Sequence, residues 1–162
     1  MSADLRLRFW IAIGATFAVG LYCAWLWNAE RQVRRHTENL FHKIEQKNWS
    51  GVNDLIADDY RDQWNDDRAL VLERMRLVLS YSRRFRINAA DVECKIDNGV
   101  GVWRGKISIE SDDAELLAAI KAHLNSLTAP FELQWRHLSG KPWDWKLIRV
   151  SNPELEIPAG FE

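Results

Sequence analysis

The chain has 162 residues, a formal net charge of -1, and a composition of 47% hydrophobic and 28% charged residues. This length and balance are typical of one packed domain, and they argue against a disordered chain or a pair of large domains. Because there is no basic excess to attract phosphate backbones, we expect no nucleic-acid partner.

The first recognisable element is residues 9–27, an apolar run without a charged side chain. As a helix rising ~1.5 Å per residue it reaches roughly 28 Å, close to the hydrocarbon thickness of a bilayer. Aromatic side chains near its two ends match the aromatic belts of membrane proteins: Trp10, Tyr22, Trp25 and Trp27. We therefore expect a short tail over residues 1–8, one transmembrane helix over residues 9–27 with the lipid bilayer as its partner, and a soluble domain over residues 28–162.

A cleaved signal peptide is the main alternative for this segment, because it lies at the N-terminus behind basic residues. The sequence Trp27-Asn28-Ala29 disfavours cleavage, since it puts a bulky indole where a small residue is needed. Arginines flank the segment on both sides, so charge leaves the orientation open, and we expect the domain on the non-cytoplasmic, periplasmic side of the cell membrane. Small residues spaced by four would suit a homodimer or a membrane-protein partner, although they are common in such helices: Thr16, Gly20 and Ala24.

Three helices are expected next. The anchor helix is predicted to continue without a break to about Lys47, with an apolar stripe of Val33, Leu40, Phe41 and Ile44. Ser50 is the expected N-cap of a short second helix. Asp66 or Asp67 is expected to cap a third helix that reaches about Tyr81. The predicted buried face of this third helix consists of Leu70, Val71, Met75, Val78 and Leu79.

From Arg84 onward the apolar residues alternate with charged ones, which predicts strands. The dipeptide Asn98-Gly99 predicts a hairpin turn to a return strand over residues 100–110, and Gly101 and Gly105 on one face of that strand predict a bend. A helix capped near Ser111 or Asp112 is expected to carry an apolar stripe of Leu116, Leu117, Ile120 and Leu124. Strands over residues 131–137 and 143–151 then complete an antiparallel sheet, so the predicted fold class is α+β.

Two segments of the chain carry a resemblance to a known superfamily. One runs from Gln46 to Tyr60 and is followed by Trp64, and the other runs from Trp143 to Leu155. On these segments the chain resembles the nuclear transport factor 2-like (NTF2-like) superfamily, which includes ketosteroid isomerase and scytalone dehydratase. The resemblance implies a cone of helices wrapped on a curved antiparallel sheet, with a pocket at the open end. Because such folds host enzymes, ligand binders and assembly modules, the function must be argued from the site.

The candidate catalytic residues are Tyr60, Asp62 and His137. An acid and an imidazole that face each other across an apolar cavity can abstract and return a proton, because burial moves their pKa values toward neutrality. His137 is expected to point inward if the alternation over residues 131–135 persists. The plainer interpretation is that His137 lies beside a turn, half-exposed and inert.

The candidate ligand-pocket residues are Trp64, Trp103 and Trp135, whose flat rings would suit a small apolar ligand. Their plainer interpretation is ordinary core packing. The histidines have no paired spacing with cysteines or acids that a metal site needs, and no glycine-rich phosphate loop is present, so we expect neither a metal nor a cofactor.

Together these features predict a membrane-anchored, non-catalytic NTF2-like module of the cell envelope that acts through protein association or small-ligand binding. Its order of elements is similar to that of the bitopic assembly factors of bacterial type IV secretion systems, which have one membrane helix and a periplasmic domain of this fold. The alternative is an isomerase-like or dehydratase-like enzyme with an acid and histidine pocket.

Overall fold

A computed structural model describes residues 10, 13–20, 22, 28–82, 84–111, 115–139, 141 and 143–155. From residue 28 onward, its helices are α1 (Ala29–Glu45), α2 (Trp49–Asn53), α3 (Arg68–Ser80) and α4 (Glu115–Ser126). Its strands are β1 (Phe85–Asp97), β2 (Val100–Ser111), β3 (Phe131–His137) and β4 (Trp145–Ser151). The strands form one antiparallel sheet in the order β1-β2-β3-β4, against which α1 and α4 pack. The predicted α+β class is confirmed.

The predicted transmembrane segment is described only in part. Residues 13–20 are helical, and their side chains are exposed. Among the residues that the structure describes, no helix is both long enough and apolar enough to span a bilayer. Other parts of the prediction lie outside the described residues: the tail over 1–8 and positions 9, 11, 12, 21 and 23–27. The anchor over residues 9–27 stays a prediction.

Helix α1 begins at Ala29 as a separate helix. Asn28 has an extended backbone, with φ at -64° and ψ at 112°, and its side-chain oxygen accepts a hydrogen bond from the Arg31 N–H at 3.2 Å. An N-cap of this kind satisfies one of the backbone donors that the start of a helix leaves without a partner. The prediction of one unbroken helix leading from the anchor segment into the domain is therefore wrong.

Side-chain caps also set where α2 and α3 begin. Asn48, and not Ser50, caps α2: its Oδ1 accepts hydrogen bonds from the Gly51 N–H at 3.0 Å and from the Ser50 hydroxyl at 3.1 Å. The predicted cap at Asp67 is confirmed, since its carboxylate accepts a hydrogen bond from the Leu70 N–H at 2.9 Å. Both caps fix the chain direction at the edge of the core.

The buried face of α3 differs from the predicted one at two positions. Leu72 and Leu79 are 5% and 8% exposed, whereas Leu70 is 37% exposed. Successive residues of an α-helix are rotated by about 100°, so Leu70 lies about 200° from Leu72 and faces away from the sheet. Half-buried Val71, Met75 and Val78 flank the buried stripe as predicted.

Close contact between α1 and the sheet depends on Gly101 in β2. A Cβ at this position would overlap the Val33 side chain of α1 and lie 3.1 Å from the Trp145 ring of β4. Because glycine has no side chain, α1 can lie directly on β2, and the sheet curves around it. Val33 and Trp145 belong to a core whose largest members include Trp103, Trp135, Tyr60, Leu40, Leu133 and Leu147.

Helix α4 is attached to the part of β2 that lies beyond its pairing with β3, which covers residues 100–105. Asn125 accepts a hydrogen bond from the Ile109 N–H at 2.9 Å and donates one to the Ile109 carbonyl at 3.2 Å. Ser111 is the last residue of β2 and not a helix cap, and Asp112 lies outside the described residues. The amide of Asn125 replaces the missing neighbouring strand, so α4 is fixed against the outer part of β2.

Candidate functional site

An apolar cavity of about 200 Å³ lies between α1, α3 and the inner face of the sheet. We call it the Tyr60 cavity. Most of its wall is aliphatic or aromatic, and the polar groups in the wall come from Tyr60 and Asp62. The lining side chains come from four parts of the fold: Leu40, Phe41 and Ile44; Ile56, Tyr60, Asp62 and Trp64; Val71 and Met75; and Ile107, Phe131, Leu133, Leu147 and Val150.

The loop that carries Tyr60 and Asp62 is held along the free edge of β4. Ile56 forms a parallel bridge with Leu147, and the Ala57 N–H donates to the Leu147 carbonyl at 2.9 Å. Further along, the Gln63 N–H donates to the Val150 carbonyl at 3.1 Å. These backbone bonds fix the loop on both sides of Tyr60, and the side chains of Tyr60 and Asp62 line the cavity.

Asp62 is a buried acid, 5% exposed. One of its carboxylate oxygens accepts hydrogen bonds from the Trp64 N–H at 2.9 Å and from the Asp66 N–H at 2.8 Å. Burial raises the pKa of Asp62 above its ordinary value, and the nearby charge of Asp66 raises it further against the opposing effect of the hydrogen bonds. Through these two hydrogen bonds the carboxyl organises the loop.

Tyr60 is 2% exposed. Burial raises the pKa of its phenol well above the ordinary value, and the charges of Asp62 and Asp66 act in the same direction. The phenol therefore keeps its proton at neutral pH. A protonated hydroxyl at the wall of an apolar cavity can donate a hydrogen bond to a ligand oxygen or nitrogen, but it cannot act as a base.

Trp64 lines the same cavity, and its position is fixed by a hydrogen bond to the segment that follows β4. Its indole Nε1 donates a hydrogen bond to the Leu155 carbonyl at 3.0 Å. Gln63 donates to the same carbonyl at 3.2 Å and to the Asn152 carbonyl at 2.6 Å. The segment after β4 therefore fastens the loop, and the role of Trp64 as a ligand-pocket residue stays a prediction.

The structure does not bring His137 to Asp62. His137 is opposite Trp145 in the sheet, whereas Asp62 lies beside Arg149, between residues bonded to the carbonyls of Ile148 and Val150. Trp145 and Arg149 are four residues apart along β4, which corresponds to roughly 13 Å between the parts of the strand next to His137 and Asp62. His137 shares the inner side of β3 with Trp135, as the alternation predicted, but it ends the strand, and the two catalytic candidates occupy different ends of the sheet.

At that end, His137 has its own local partners. Its Nε2 lies 2.6 Å from the Lys141 carbonyl, and its ring is 4.9 Å from the ring of Trp145. It is half-buried. These contacts bind the imidazole to the β3–β4 hairpin.

Trp103 and Trp135 are core residues and do not line the Tyr60 cavity. They are 1% and 0% exposed. The Trp103 ring packs edge-on against Phe41, with centroids 5.6 Å apart, and Trp135 lies 5.8 Å from the His36 ring. Inward alternation made them pocket candidates, but α1 packs against this half of the sheet. Trp103 instead lines a groove of about 450 Å³ between α1 and β1, together with charged side chains such as Arg34 and Glu38.

A second apolar cavity, of about 300 Å³, lies between the end of α3, the outer parts of β1 and β2, and α4. We call it the Arg74 cavity. It shares Ile44 and Met75 with the Tyr60 cavity, so the two are neighbours. Its remaining lining residues are Arg74, Val78, Leu79, Phe85, Ile87, Ile109, Ser111, Lys121 and Leu124.

Arg74 is the site residue that the sequence analysis missed. Its Nη1 donates to the Asp66 carboxylate at 2.6 Å, while its buried Nε has no hydrogen-bond partner in the part of the chain that the structure describes. A signal was present in the sequence: position 74 follows Val71 by three residues and precedes Val78 by four, so it falls on the apolar face of α3. An arginine on such a face marks a polar function or a buried ion pair.

Nearby acids on the loop surface are engaged by arginines. Asp58 lies 2.5 Å from the Arg68 guanidinium, and Asp59 accepts two contacts from Arg136 at 2.7 and 2.9 Å. The hydrogen bond from Arg136 lowers the pKa of Asp59. Among the described residues, no group of three or more histidine, cysteine or acidic side chains is arranged to hold a metal ion.

Comparison with solved structures gives the fold of the chain. A protein of unknown function from Pseudomonas putida with an NTF2-like fold matches with a TM-score of 0.55 at 13% identity, covering 75% of this chain and 83% of its own. An NTF2-like protein from Cytophaga hutchinsonii matches with a TM-score of 0.53 at 15% identity, covering 74% and 93%. Bd1075 from Bdellovibrio bacteriovorus matches with a TM-score of 0.57 at 11% identity, covering 75% of this chain but 39% of that protein.

Neither a protein-family model nor a curated protein sequence matches the chain. The likeness therefore lies in three-dimensional structure at identities of 8% to 15%. At this level it carries information about the fold and not about ligand or reaction. The chain has the nuclear transport factor 2-like fold.

Proposed function

We propose that the domain is a non-catalytic module that binds a small apolar molecule in the Tyr60 cavity. The observation that carries this proposal is an apolar cavity whose polar groups, Tyr60 and Asp62, are fixed by backbone bonds along β4. A mostly apolar wall with few placed polar groups is the usual composition of small-molecule sites. The phenol of Tyr60 would orient the ligand through one hydrogen bond.

The alternative, an isomerase-like or dehydratase-like enzyme, has less support. Proton abstraction requires a base within hydrogen-bond reach of the substrate proton. His137 lies at the other end of the sheet, the Tyr60 phenol holds its proton, and the Asp62 carboxylate already accepts two backbone N–H groups. Ligand binding, by contrast, does not require any of these residues to exchange a proton.

We further propose that residues 9–27 anchor the domain to a membrane and can bring it to a membrane-protein partner or a second copy, on the periplasmic side. In support, residues 13–20 are helical with exposed apolar side chains such as Phe17 at 68% and Val19 at 61%. The first half of α1 lies at the end of the sheet that carries the β3–β4 hairpin, where Trp143 is 65% exposed. An exposed tryptophan near the chain entry suits a membrane interface.

The anchor can be tested by alkaline extraction of cell membranes that contain the full chain. We expect the wild-type chain to remain in the membrane fraction and Phe17→Arg to move largely to the soluble fraction, because a central arginine costs roughly 3 kcal/mol on insertion scales. Leu77→Arg, at an exposed position of α3, is the matched control and should stay with the membrane. Extraction of the wild-type chain itself would contradict the anchor.

Ligand binding can be tested at Met75, which lies in the wall of the Tyr60 cavity. The chain has two methionines, Met1 and Met75, so ¹³C-methyl labelling of methionine gives one signal from the domain. We expect octanol to shift the Met75 signal of the full chain, reconstituted in lipid nanodiscs, in a saturable way. Val71→Phe, which fills the cavity, should weaken the apparent affinity by about tenfold or more.

The matched control is Leu77→Phe on the same helix, where the side chain is 56% exposed and lines neither cavity. It should bind octanol as the wild type does. All three proteins are titrated in the same nanodisc lipid, so the partitioning of octanol into lipid is the same in each titration and cancels in the comparison. Equal titrations for Val71→Phe and the wild type would rule out the Tyr60 cavity as the binding site.

A further inference from the structure

His36 connects α1 to the β3–β4 hairpin, and the proposed function does not use it. Its ring lies 5.8 Å from the ring of Trp135 near the end of β3, with the two planes tilted by 42°. Its imidazole also donates a hydrogen bond to the backbone carbonyl of Trp143, in the loop that leads into β4. One side chain of α1 thus contacts both β3 and the hairpin loop.

The second ring nitrogen of His36 is buried without a partner. Within the part of the chain that the structure describes, neither His36 Nδ1 nor the indole Nε1 of Trp135 has a hydrogen-bond partner. Trp135 is 0% exposed, and an indole nitrogen can only donate, so it offers no acceptor to a proton on Nδ1. Protonation of His36 therefore creates a buried donor without an acceptor, which is unfavourable.

The surroundings of His36 also favour its neutral form. Burial lowers the pKa of His36, and the positive charge of Lys146 on β4 lowers it further. Asp144 in the hairpin and the hydrogen bond to Trp143 act in the opposite direction, but with smaller effects. A proton on the imidazole thus opposes the contact between α1 and the hairpin.

The ionisable residues near the end of β3 have partners of their own. Arg136 lies on the outer face of the sheet and pairs with Asp59 at 2.7 Å. His137 lies on the inner side, with its Nε2 2.6 Å from the Lys141 carbonyl. The residues one turn from His36 on α1 carry no charge: Gln32, Val33, Asn39 and Leu40. Burial and the two charges on β4 and in the hairpin therefore govern the protonation of His36.

We infer that His36 forms a pH-dependent contact: its neutral imidazole holds the β3–β4 hairpin against α1, and its protonated form releases the hairpin. After release, water can solvate both ring nitrogens, so the released state binds the proton more tightly than the docked state. Docking therefore weakens as the pH falls below the ordinary pKa of histidine, about 6.5, and release gives water access to the ring of Trp135. This contact requires neither ligand binding nor the anchor.

The test follows the full chain, labelled with 5-fluorotryptophan, by ¹⁹F NMR as the pH is lowered from neutral to mildly acidic. Trp64→Phe and Trp135→Phe assign two of the nine tryptophan signals. In the wild type, we expect the Trp135 signal to shift in one step with a midpoint below pH ~6.5, and to gain the H₂O/D₂O isotope shift of a hydrated ring. The Trp64 signal should not change, because Trp64 is held by the Leu155 carbonyl at the other end of the sheet.

His36→Gln separates this contact from other effects of acid. Glutamine can still donate to the Trp143 carbonyl but does not titrate, so the Trp135 step should disappear. His42→Gln is the matched control and should keep the step, because His42 lies on the same helix with a side chain that is 64% exposed. A step that persists in His36→Gln, or its absence from the wild type, would overturn the inference. A simultaneous change at Trp64 would do the same, since it would indicate global unfolding.

The His36 ring itself gives an independent readout in the wild-type chain. Its Cε1–H signal is the one that remains when His42, His123 and His137 are each replaced by glutamine. It should titrate with the same midpoint as the Trp135 step. Different midpoints would overturn the inference, even if His36→Gln failed to fold.

Discussion

Asp62 shows how a single buried acid can serve the site without reacting. Its carboxylate accepts the N–H groups of Trp64 and Asp66, which turns the loop back toward α3. The same burial that makes these bonds strong raises the pKa of Asp62 above its ordinary value. An acid whose pKa is higher in the folded than in the unfolded state lowers stability while it is charged. This cost shrinks as the pH falls below the folded-state pKa and is gone below the unfolded-state pKa.

Substitutions of Asp62 separate its geometry from its charge. Asp62→Asn keeps an oxygen that can accept both N–H groups, so we expect stability equal to or above that of the wild type at neutral pH. Asp62→Ala leaves two buried donors without an acceptor and should lower the free energy of unfolding by about 1–3 kcal/mol. Urea unfolding of the three proteins measures both effects.

The pH dependence gives a second readout for the same residue. Any advantage of Asp62→Asn over the wild type should shrink as the pH is lowered through the raised pKa of Asp62, because the wild-type carboxyl is then neutral as well. An advantage that grows on acidification would contradict the assignment of a raised pKa.

At the scale of elements, Gly101 decides how closely α1 and the sheet approach. Gly101→Ala forces a methyl group into the space of Val33 and against the ring of Trp145. We expect the free energy of unfolding to fall by about 1–3 kcal/mol, the usual cost of overpacking a core.

The double variant Val33→Ala with Gly101→Ala tests this cause. Truncation of Val33 makes room for the new methyl group, so the double variant should be more stable than the sum of the two single effects predicts. Chemical denaturation of all four proteins gives the coupling energy. Strict additivity would show that the methyl group is accommodated elsewhere, contrary to the packing described here.

The elements also show which features could be predicted from the sequence. Alternation and the Asn98-Gly99 turn gave the strands nearly to the residue, because period and turn chemistry are local properties. The cap of α2 was misplaced from Asn48 to Ser50, since both are good N-cap residues and only the backbone geometry distinguishes them. Leu70 was misassigned because the apolar stripe of α3 is wide and its centre depends on how the helix meets the sheet.

For the whole molecule, the fold was more predictable than the site. The order of helices and hairpins is enough to indicate a curved sheet wrapped by helices, and the comparisons with solved structures agree. Whether Asp62 and His137 meet depends on which part of β4 each lies against, a long-range pairing that neither residue's own sequence context reveals. Arg74 was overlooked because a charged side chain is usually read as a surface residue, although its spacing from Val71 and Val78 places it on the apolar face of α3.

The central claim is that a small apolar molecule occupies the cavity walled by Tyr60, Trp64 and Met75. The most direct measurement is the set of nuclear Overhauser effects between bound octanol and the protein. We expect cross-peaks from the octanol chain to the Met75 methyl group and to the Tyr60 ring, and their loss in Val71→Phe. Cross-peaks confined to exposed side chains such as Trp143 and Leu77, with none to Met75 or Tyr60, would contradict the account.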